Sequence, residues 1–393
     1  MNEQKSQLKF DYILLFLVLL LASISIFTLY TITPFLPAKY SLINFPLKQI
    51  QWYIAGGFII FVIMLVDYDR FQKITWIAYF VGIIPLIMIA LKFPPNLIHN
   101  YNNANRGINL PVIGTLQPAE YFKVILTLTI AYVMIRHHEK YVIRNIKTDL
   151  WLLFKILMVS APPMGLIAIQ PDLGSVLVLV FITTCMILVS GISWRVISAM
   201  VASAGAAVGL LVGAWALFPG KIGTFLEETV FKHVTSRING WLYPEEFSES
   251  GYQLIYTMRA IGSGQLFGKG ISNMEVSVPE KHTDMIFTAI AEQFGFIGVS
   301  AVLIIYFILI YRLIHIAMSS NDKYGSYIVT GLVGMFTYQI FQNIGMSIQL
   351  LPITGLPLPF LSYGGSSTMT YMLAIGLILN VHSRTKEYMF ETD

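Results

Sequence analysis

The stretch YILLFLVLLLASISIFTLYTIT, at residues 12–33, contains no charged side chain. A helix crosses the hydrocarbon core of a bilayer with about 17–25 mostly apolar residues, so this stretch is long enough to span. The whole 393-residue chain has the same character, because 56% of its residues are hydrophobic and 12% are charged. Soluble proteins carry about 25% charged residues. The composition therefore excludes a soluble enzyme, a disordered chain and a fibrous chain, and it predicts a polytopic membrane protein.

Similar apolar runs recur between charged or Pro-, Asn- and Gly-rich breaks. We expect an all-α polytopic integral membrane protein that forms a single domain over residues 1–393, with about ten transmembrane helices. The first run lacks a small-residue cleavage site, so we expect it to be retained as an anchor. A large loop at about 219–282 is predicted between helices 7 and 8. The predicted spans lie near 12–33, 50–66, 74–91, 118–135, 151–169, 173–190, 196–218, 285–310, 326–350 and 363–381.

The distribution of basic residues predicts the orientation. An even number of spans places both termini on one side, and short cytoplasmic loops carry an excess of Lys and Arg. With both termini in the cytoplasm, the outer short loops hold only four cations, Lys39, Lys48, Lys92 and Arg106. The predicted inner side then holds Lys5, Lys9, Arg70, Lys73, Arg136, Lys140, Arg144, Lys147, Arg195, Arg312, Lys323, Arg384 and Lys386. The large loop is accordingly expected to face outward.

Three segments on the predicted outer side differ from lipid-facing sequence. Residues 100–117 are polar and turn-rich and resemble a segment that dips back into the membrane, where irregular backbone must be buried by protein or lined by water. The other two are the 219–282 loop and residues 351–367, which are rich in Pro and Gly. Common catalytic motifs are missing: Gly264 to Gly270 lacks the spacing of a phosphate loop, and the single cysteine, Cys185, excludes a disulfide framework.

Asp284 is the main acidic candidate for a functional residue. It opens the eighth predicted span, where it could either cap the helix or serve as an ionised general base. A helix N-terminus favours a carboxylate's ionised form. Asp284, Thr288 and Glu292 recur at i, i+4 and i+8, so they form a polar stripe about 12 Å long that is expected to face a cavity.

Further polar residues admit both structural and functional interpretations. Glu120 and Lys123 could form a capping arrangement with an intrahelical ion pair, with Lys123 snorkelling to the interface, or they could belong to a site. Asp172 is expected to cap the sixth span, and Asn343 to form interhelical hydrogen bonds. Four outer cations could together bind a pyrophosphate. They are Arg106, Arg259, Lys269 and Lys281.

Five segments, in this order, resemble the bacterial SEDS family (shape, elongation, division and sporulation), which includes RodA, FtsW and SpoVE. They are ANRGI…LQPAEYFK (104–123), QPDLGS (170–175), GYQLIYTMRAIGSGQLFGKGISN (251–273), VPEKHTDMIFTAIAEQFGFIG (278–298) and FQNIGMSIQLLPITGLPLPFLSYGGSS (341–367). The resemblance covers nearly the whole chain. FQNIGM and the short, mildly basic termini are most similar to RodA, the elongation member.

The resemblance implies an inverting peptidoglycan glycosyltransferase that polymerises lipid II at the outer face of the bacterial cytoplasmic membrane with a class B penicillin-binding protein. The essential carboxylate of the family falls on Asp284, and the glutamate and lysine of its QPxE-xx-K motif fall on Glu120 and Lys123. His282, in the same motif as Asp284, is expected to contact substrate. One residue departs from the family pattern: Gly107 follows Arg106 where the family usually has Trp.

The expected mechanism has Asp284 accepting the proton of an acceptor sugar hydroxyl while cations stabilise the leaving pyrophosphate. The candidates for that stabilisation are Lys123, Arg106, Arg259 and Lys281. A divalent cation, Mg²⁺ or Mn²⁺, could assist, although no ligand cluster specifies a metal site, and no nucleic-acid partner is expected. Three alternatives remain open at this stage: a flippase for the same lipid precursor, a scaffold that only stimulates a penicillin-binding protein, and a division or sporulation paralogue.

Overall fold

The computed structural model describes residues 10–101, 104–110, 114–217, 232–246, 250–271 and 273–385. Short 3₁₀ turns are found at Thr33–Phe35, Ala38–Tyr40 and Pro95–Leu97. The helices are α1 (Tyr12–Ile32), α2 (Phe45–Leu65), α3 (Tyr68–Ala90), α4 (Pro118–Lys140), α5 (Ile146–Ile169), α6 (Leu173–Val189), α7 (Trp194–Leu217), α8 (Lys232–Leu242), α9 (Ser250–Ser263), α10 (Ile286–Ser319), α11 (Lys323–Ser347) and α12 (Gly365–Arg384).

Every predicted span corresponds to one long helix, and the described residues of the predicted outer loop contain α8 and α9. Among the residues that the structure describes, six helices, α1 to α5 and α10, are both long and apolar enough to cross a bilayer, and α6 is apolar but shorter. This architecture confirms an all-α polytopic membrane protein, while the count of ten spans stays a prediction. The interior helices α11 and α12 carry buried amides, including Gln339, Asn343 and Asn380, which lower their apolarity.

The bundle has a buried centre and a lipid-like periphery. Helix α4 lies at the centre, where it contacts α3, α5, α6, α11 and α12. Helix α2 packs mainly against α12, and α3 packs mainly against α4. Both peripheral helices expose large apolar side chains, such as Phe58, Phe61, Ile77 and Phe80. Apolar surface of this kind on a helical bundle is what contact with lipid tails requires.

The segment before α4, which was expected to be irregular, forms a small sheet. Strands β1 (Ile98–Tyr101), β2 (Ala104–Leu110) and β3 (Gly114–Leu116) pair antiparallel in the order β1-β2-β3. Ile98 pairs with Ile108, and Ile108 pairs with Leu116, which gives an apolar row across the strands. The strands satisfy one another's backbone groups, and a position of this segment within the membrane stays a prediction. The connections at 102–103 and 111–113 lie outside the described residues.

Helix α10 is interrupted at Gly295, whose φ of 63° and ψ of −159° are not helical. The backbone groups freed near this break bond to the neighbouring segment 265–270. Lys269 N–H donates to Glu292 O at 2.9 Å, and Phe296 N–H donates to Gln265 O at 2.9 Å. A Cβ on Gly268 would lie 2.1 Å from Gln293 O, so glycine permits this close approach. The glycines that mimic a phosphate loop therefore serve backbone packing.

Candidate functional site

Asp284 lies in the turn that precedes α10 and is partly accessible. The N-cap of α10 is Met285, and no side chain caps that helix end, so the prediction that Asp284 caps the helix was wrong. Its Oδ1 accepts a hydrogen bond from the Thr283 hydroxyl at 3.2 Å. Its Oδ2 faces Gly355, where an added Cβ would lie 3.6 Å away. Gly355 has φ of 74°, which favours glycine.

The surroundings of Asp284 favour the protonated form of its carboxyl. Burial, with a smaller contribution from the Glu280 carboxylate, raises the pKa of Asp284 to about 7, while Thr283 and Arg237 act in the opposite direction. The sequence interpretation expected the ionised form and did not foresee this upward shift of the pKa. A pKa near neutrality suits a general base, because the group can accept a proton in the reaction and release it afterwards.

Glu280 is a second carboxylate at this site, and the sequence interpretation did not single it out. The Thr283 hydroxyl lies 3.2 Å from Glu280 Oε2 and 3.2 Å from Asp284 Oδ1, so it bridges the two acidic groups. Tyr40 donates its phenol hydrogen to Glu280 Oε1 at 3.1 Å. The spacing of four residues between Glu280 and Asp284 could have drawn attention to the pair.

Lys281, assigned from sequence as a pyrophosphate-binding cation, is held in a buried ion pair with Glu292. Its Nζ lies 2.7 Å from Glu292 Oε2 and 2.8 Å from Val276 O, and the residue is 4% exposed. Glu292 Oε1 accepts the backbone N–H groups of Glu275 and Val276 at 2.9 and 3.0 Å. The polar stripe therefore does not line a cavity: Thr288 and Glu292 are fully buried, and Glu292 holds the segment that leads to Asp284.

His282 also proves to be a packing residue in this structure. Its ring lies 4.7 Å from the Tyr40 ring, 4.6 Å from the Phe45 ring and 6.2 Å from the Tyr363 ring. Burial lowers the pKa of His282 and favours the neutral imidazole. Its backbone carbonyl accepts from the N–H of Tyr363 at 3.0 Å, which ties this turn to the segment before α12. The contact of His282 with substrate stays a prediction.

Glu120 and Lys123 form a buried ion pair on α4, with Lys123 Nζ 2.5 Å from Glu120 Oε1. The ion pair was predicted, but the snorkelling of Lys123 was not confirmed, because the two residues are 2% and 0% exposed. The capping arrangement was wrong too, since the N-cap Gln117 accepts no side-chain bond and Glu120 faces the interior. Glu120 Oε2 is buried with no protein partner.

Arg106 on β2 reaches the start of α6, where Asp172 lies. Arg106 Nη2 donates to Pro171 O at 2.5 Å. Asp172 is the N-cap of α6 and accepts from Ser175 N–H at 3.3 Å, so its predicted capping role is confirmed. Gln117 donates to Asp172 Oδ2 at 3.2 Å, which joins the start of α4 to the same cluster. Gly107 occupies β2 opposite His99, next to Arg106.

Arg237 is a functional candidate that the sequence interpretation missed. It lies on α8 and donates from Nη1 to Thr354 O at 3.1 Å. Burial and the charge of Arg106 lower the pKa of Arg237, whereas Asp172 and Asp284 raise it, so the guanidinium lies within electrostatic reach of both carboxylates. Trp241, one turn further along α8, donates to Gln349 O at 2.9 Å. The i, i+4 spacing of Arg237 and Trp241 was the available signal.

The remaining outer cations lie elsewhere. Arg259 is exposed, with its guanidinium 5.3 Å from the centre of the Tyr256 ring. It lines an outer groove with Pro244 and Gln349 that Asp284 does not line. Lys269 lies 2.6 Å from Glu275 Oε2 and 3.8 Å from Glu292 Oε1. The four predicted outer cations therefore do not converge; Arg106 is the one of the four whose charge acts on Arg237.

In the part of the chain that the structure describes, no group of three or more His, Cys, Asp or Glu side chains is arranged to hold a metal ion. Glu280 and Asp284 are two neighbouring carboxyl groups, each with an oxygen 3.2 Å from the Thr283 hydroxyl. Hard divalent cations take additional oxygen ligands from water or phosphate. The requirement for a divalent cation stays a prediction.

The fold and the site together indicate a class of protein, namely a multi-pass helical membrane protein whose loops form a cluster of acidic and basic residues. A family model described as cell cycle protein, for FtsW, RodA and SpoVE, matches residues 9–387. The chain therefore belongs to the FtsW/RodA/SpoVE family, as the SEDS motifs indicate.

Individual relatives and a solved structure agree with this assignment. Stage V sporulation protein E of Bacillus subtilis is 31% identical over 389 residues, which cover 96% of this chain and 98% of that protein. A probable peptidoglycan glycosyltransferase FtsW of Trichlorobacter lovleyi is 30% identical over 384 residues, covering 96% and 94%. A chain of a solved peptidoglycan synthase complex shares the fold with a TM-score of 0.74 at 24% identity, covering 96% of this chain and 98% of that one.

Proposed function

We propose that this chain is a peptidoglycan glycosyltransferase that polymerises lipid II at the outer face of the bacterial cytoplasmic membrane. Family membership and the glycosyltransferase named among its relatives support the reaction class. The observation that carries the proposal is Asp284, a partly accessible carboxyl whose pKa is raised to about 7 and which lies near the Arg237 guanidinium. A base within electrostatic reach of a cation suits a transfer that releases an anion.

In the proposed reaction Asp284 accepts the proton of the 4-hydroxyl of the acceptor sugar. The hydroxyl oxygen forms a bond to the anomeric carbon of the donor glycan, and the bond from that carbon to the lipid pyrophosphate breaks. Attack from the face opposite the leaving group inverts the anomeric centre, so an α-linked donor gives a β-1,4 bond. Asp284 then releases its proton to water before the next cycle, which a pKa near neutrality allows.

The leaving pyrophosphate accumulates negative charge, so cations fixed near it lower the barrier. Arg106 and Arg237 are the candidates that the loop geometry favours, because each guanidinium can hold a phosphate through two parallel hydrogen bonds. Lys281 and Arg259 leave this role, given their contacts with Glu292 and Tyr256. A divalent cation would find two carboxylates at Glu280 and Asp284 and would offer further charge neutralisation.

Glu120 and Lys123 stay candidates for positioning. As a fully buried pair, they stabilise the start of α4 next to Gln117, whose side chain bonds to Asp172. Breaking a buried pair by removing one partner costs about 3–5 kcal/mol. A change at Glu120 or Lys123 would then affect activity by displacing the junction between β3 and α4.

The bilayer context completes the proposal. The apolar faces of α2 and α3, which pack mainly on different partners, offer a lateral surface for the polyprenyl tail of the substrate. Both termini are proposed to be cytoplasmic on the positive-inside pattern. A class B penicillin-binding protein is the proposed partner, in keeping with the related chain solved in a peptidoglycan synthase complex.

The role within the cell is proposed to be elongation, because FQNIGM and the short termini are most similar to RodA. Relatives named for division and for sporulation are about equally similar, so the role needs its own experiment. Depletion followed by microscopy separates the roles: rounding or bulging supports elongation, and filamentation would reassign the chain to division.

The reaction is tested with the purified chain and its class B partner in proteoliposomes that contain lipid II. We expect wild-type protein to form glycan strands and Asp284→Asn to lose at least about 100-fold in rate, as is typical when a general base is removed. Glu245→Gln, which removes an exposed outer carboxylate, serves as the control and should keep the wild-type rate. Polymerisation by Asp284→Asn at the wild-type rate would refute the base assignment. Lipid II translocation without polymerisation would instead support the flippase.

A further inference from the structure

Asn343 makes two bonds that connect the candidate base to a second loop. Its side chain is fully buried near the end of α11. The amide nitrogen Nδ2 lies 2.6 Å from the backbone oxygen of Asp284 and 2.7 Å from the backbone oxygen of Leu356. A primary amide has two N–H donors, so each carbonyl receives one. These bonds replace the interhelical hydrogen bond expected for Asn343.

The two carbonyls belong to segments that face each other across the site. Asp284 O lies outside the helix, because α10 begins at Ile286 and Thr288 N–H donates to Met285 O. Leu356 follows Gly355, the residue that faces Asp284 Oδ2. A single side chain therefore fixes the separation between the backbone that carries the carboxylate and the loop that limits the space before it.

We propose that Asn343 is a positioning residue, which sets the place and orientation of the Asp284 carboxylate by clamping the carbonyls of Asp284 and Leu356 together. This inference rests on the proposed function of Asp284. Proton transfer requires the base within hydrogen-bond reach of the hydroxyl, and a displacement of about 1 Å costs about 100-fold in rate. Among side chains of this size and shape, only the amide of Asn supplies two donors here. Aspartate would place acceptor oxygens against two carbonyl oxygens, and leucine has no hydrogen-bonding group.

Gln342 provides a matched control on the same helix. It is also buried, and it donates from Nε2 to Pro352 O at 3.0 Å, so it binds the same loop without touching Asp284. Leucine at either position removes a buried donor and leaves the loop with a carbonyl to satisfy. A role confined to folding predicts similar consequences for both substitutions, whereas positioning predicts a consequence for Asn343 alone.

The experiment measures lipid II polymerisation by Asn343→Leu and Gln342→Leu with the class B partner, after thermal melting has established the folded fraction of each. We expect Asn343→Leu to lower kcat per folded molecule 10- to 100-fold with KM within about threefold of wild type. Gln342→Leu should keep kcat within about threefold. The pH of half-maximal rate should move in Asn343→Leu only, because only there do the surroundings of Asp284 change.

A second measurement does not depend on activity. Hydrogen exchange followed by mass spectrometry should show faster exchange in the peptide around 282–288 in Asn343→Leu, with no change there in Gln342→Leu. Equal exchange and equal kcat in both variants would overturn the positioning role. If Asp284→Asn polymerises normally, the proposed base fails, whatever the exchange shows. If Asp284→Asn is inactive and Asn343→Leu matches wild type, only the clamp fails.

Discussion

Replacing Asp284 with Asn should increase the stability of the fold at alkaline pH while abolishing the proposed reaction. Burial and Glu280 raise the pKa of Asp284 from 3.8 to about 7. Between these values the folded protein keeps a proton that the unfolded chain has lost. The contribution of this group to the stability therefore falls as pH rises from about 4 to 7, and it stays low at higher pH.

The size of the effect follows from the pKa shift. A shift of this size corresponds to about 4 kcal/mol, since one unit is 1.36 kcal/mol. Asp284 is partly accessible, and solvent offsets part of the penalty, so we expect about 1–3 kcal/mol. The neutral amide of Asn keeps the shape and escapes the penalty. Asn should therefore stabilise the protein at pH 8 and have almost no effect near pH 4.

Thermal unfolding in detergent, followed by tryptophan fluorescence at matched scan rates, measures this difference. We expect the Tm of Asp284→Asn to exceed that of wild type by a few degrees at pH 8, with the gap closing near pH 4. Glu245→Gln, at an exposed position, should leave the Tm unchanged at both values. A gap that is the same at both values, or a wild type that is more stable at pH 8, would refute the argument. In the same preparation, the wild-type polymerisation rate should rise about tenfold per pH unit below 7 and level off above it.

Two further substitutions test the supports of the site by thermal unfolding. Lys281→Met leaves Glu292 charged and buried without its ammonium partner, so we expect the free energy of unfolding to fall by about 3–5 kcal/mol. The control Lys269→Met removes an amine 3.8 Å from the same carboxylate and should lower it by less than about 1 kcal/mol. Equal losses in the two variants would contradict the role of the buried pair. Gly295→Ala places a Cβ 2.4 Å from a backbone nitrogen at a φ of 63°, so we expect at least about 1–3 kcal/mol of destabilisation. Gly165→Ala, which has open space at a helical position, should be neutral or stabilising, and a Gly295→Ala protein that melts like wild type would disprove the strain.

The helices could be predicted from sequence because apolar length alone specifies a bilayer-spanning helix. The small sheet at Ile98–Leu116 could not, since its strands are three to seven residues long and resemble the polar turns around them. Their pairing depends on contacts between Ile98, Ile108 and Leu116 that no local pattern reveals. Capping by Asp172 was predictable because the bond to Ser175 is local.

The site divides in the same way. Asp284 could be selected from its motif, but its protonation could not, because that depends on burial and on the Glu280 carboxylate. Lys281 and Arg237 show why cations were assigned poorly. The sequence predicts that both side chains are charged and lie on the outer side. In the structure Lys281 pairs with Glu292 inside the fold, whereas Arg237 on α8 lies within electrostatic reach of Asp172 and Asp284. The difference between the two cations depends on the tertiary packing of the outer loop segments, which the sequence does not reveal.

The break at Gly295 explains how one long apolar helix can serve two environments. The residues of α10 before the break are almost all buried and include Thr288 and Glu292, whereas beyond it large side chains such as Phe307 are exposed as on a lipid-facing surface. A continuous helix would make any tilt of the lipid-facing part move Asp284 directly. At the break, however, the backbone on both sides bonds to segment 265–270. Tilt of the lipid-facing part of α10 must therefore deform segment 265–270 before it displaces Asp284. These backbone bonds thus limit how far motion of that part of the helix is transmitted to the site.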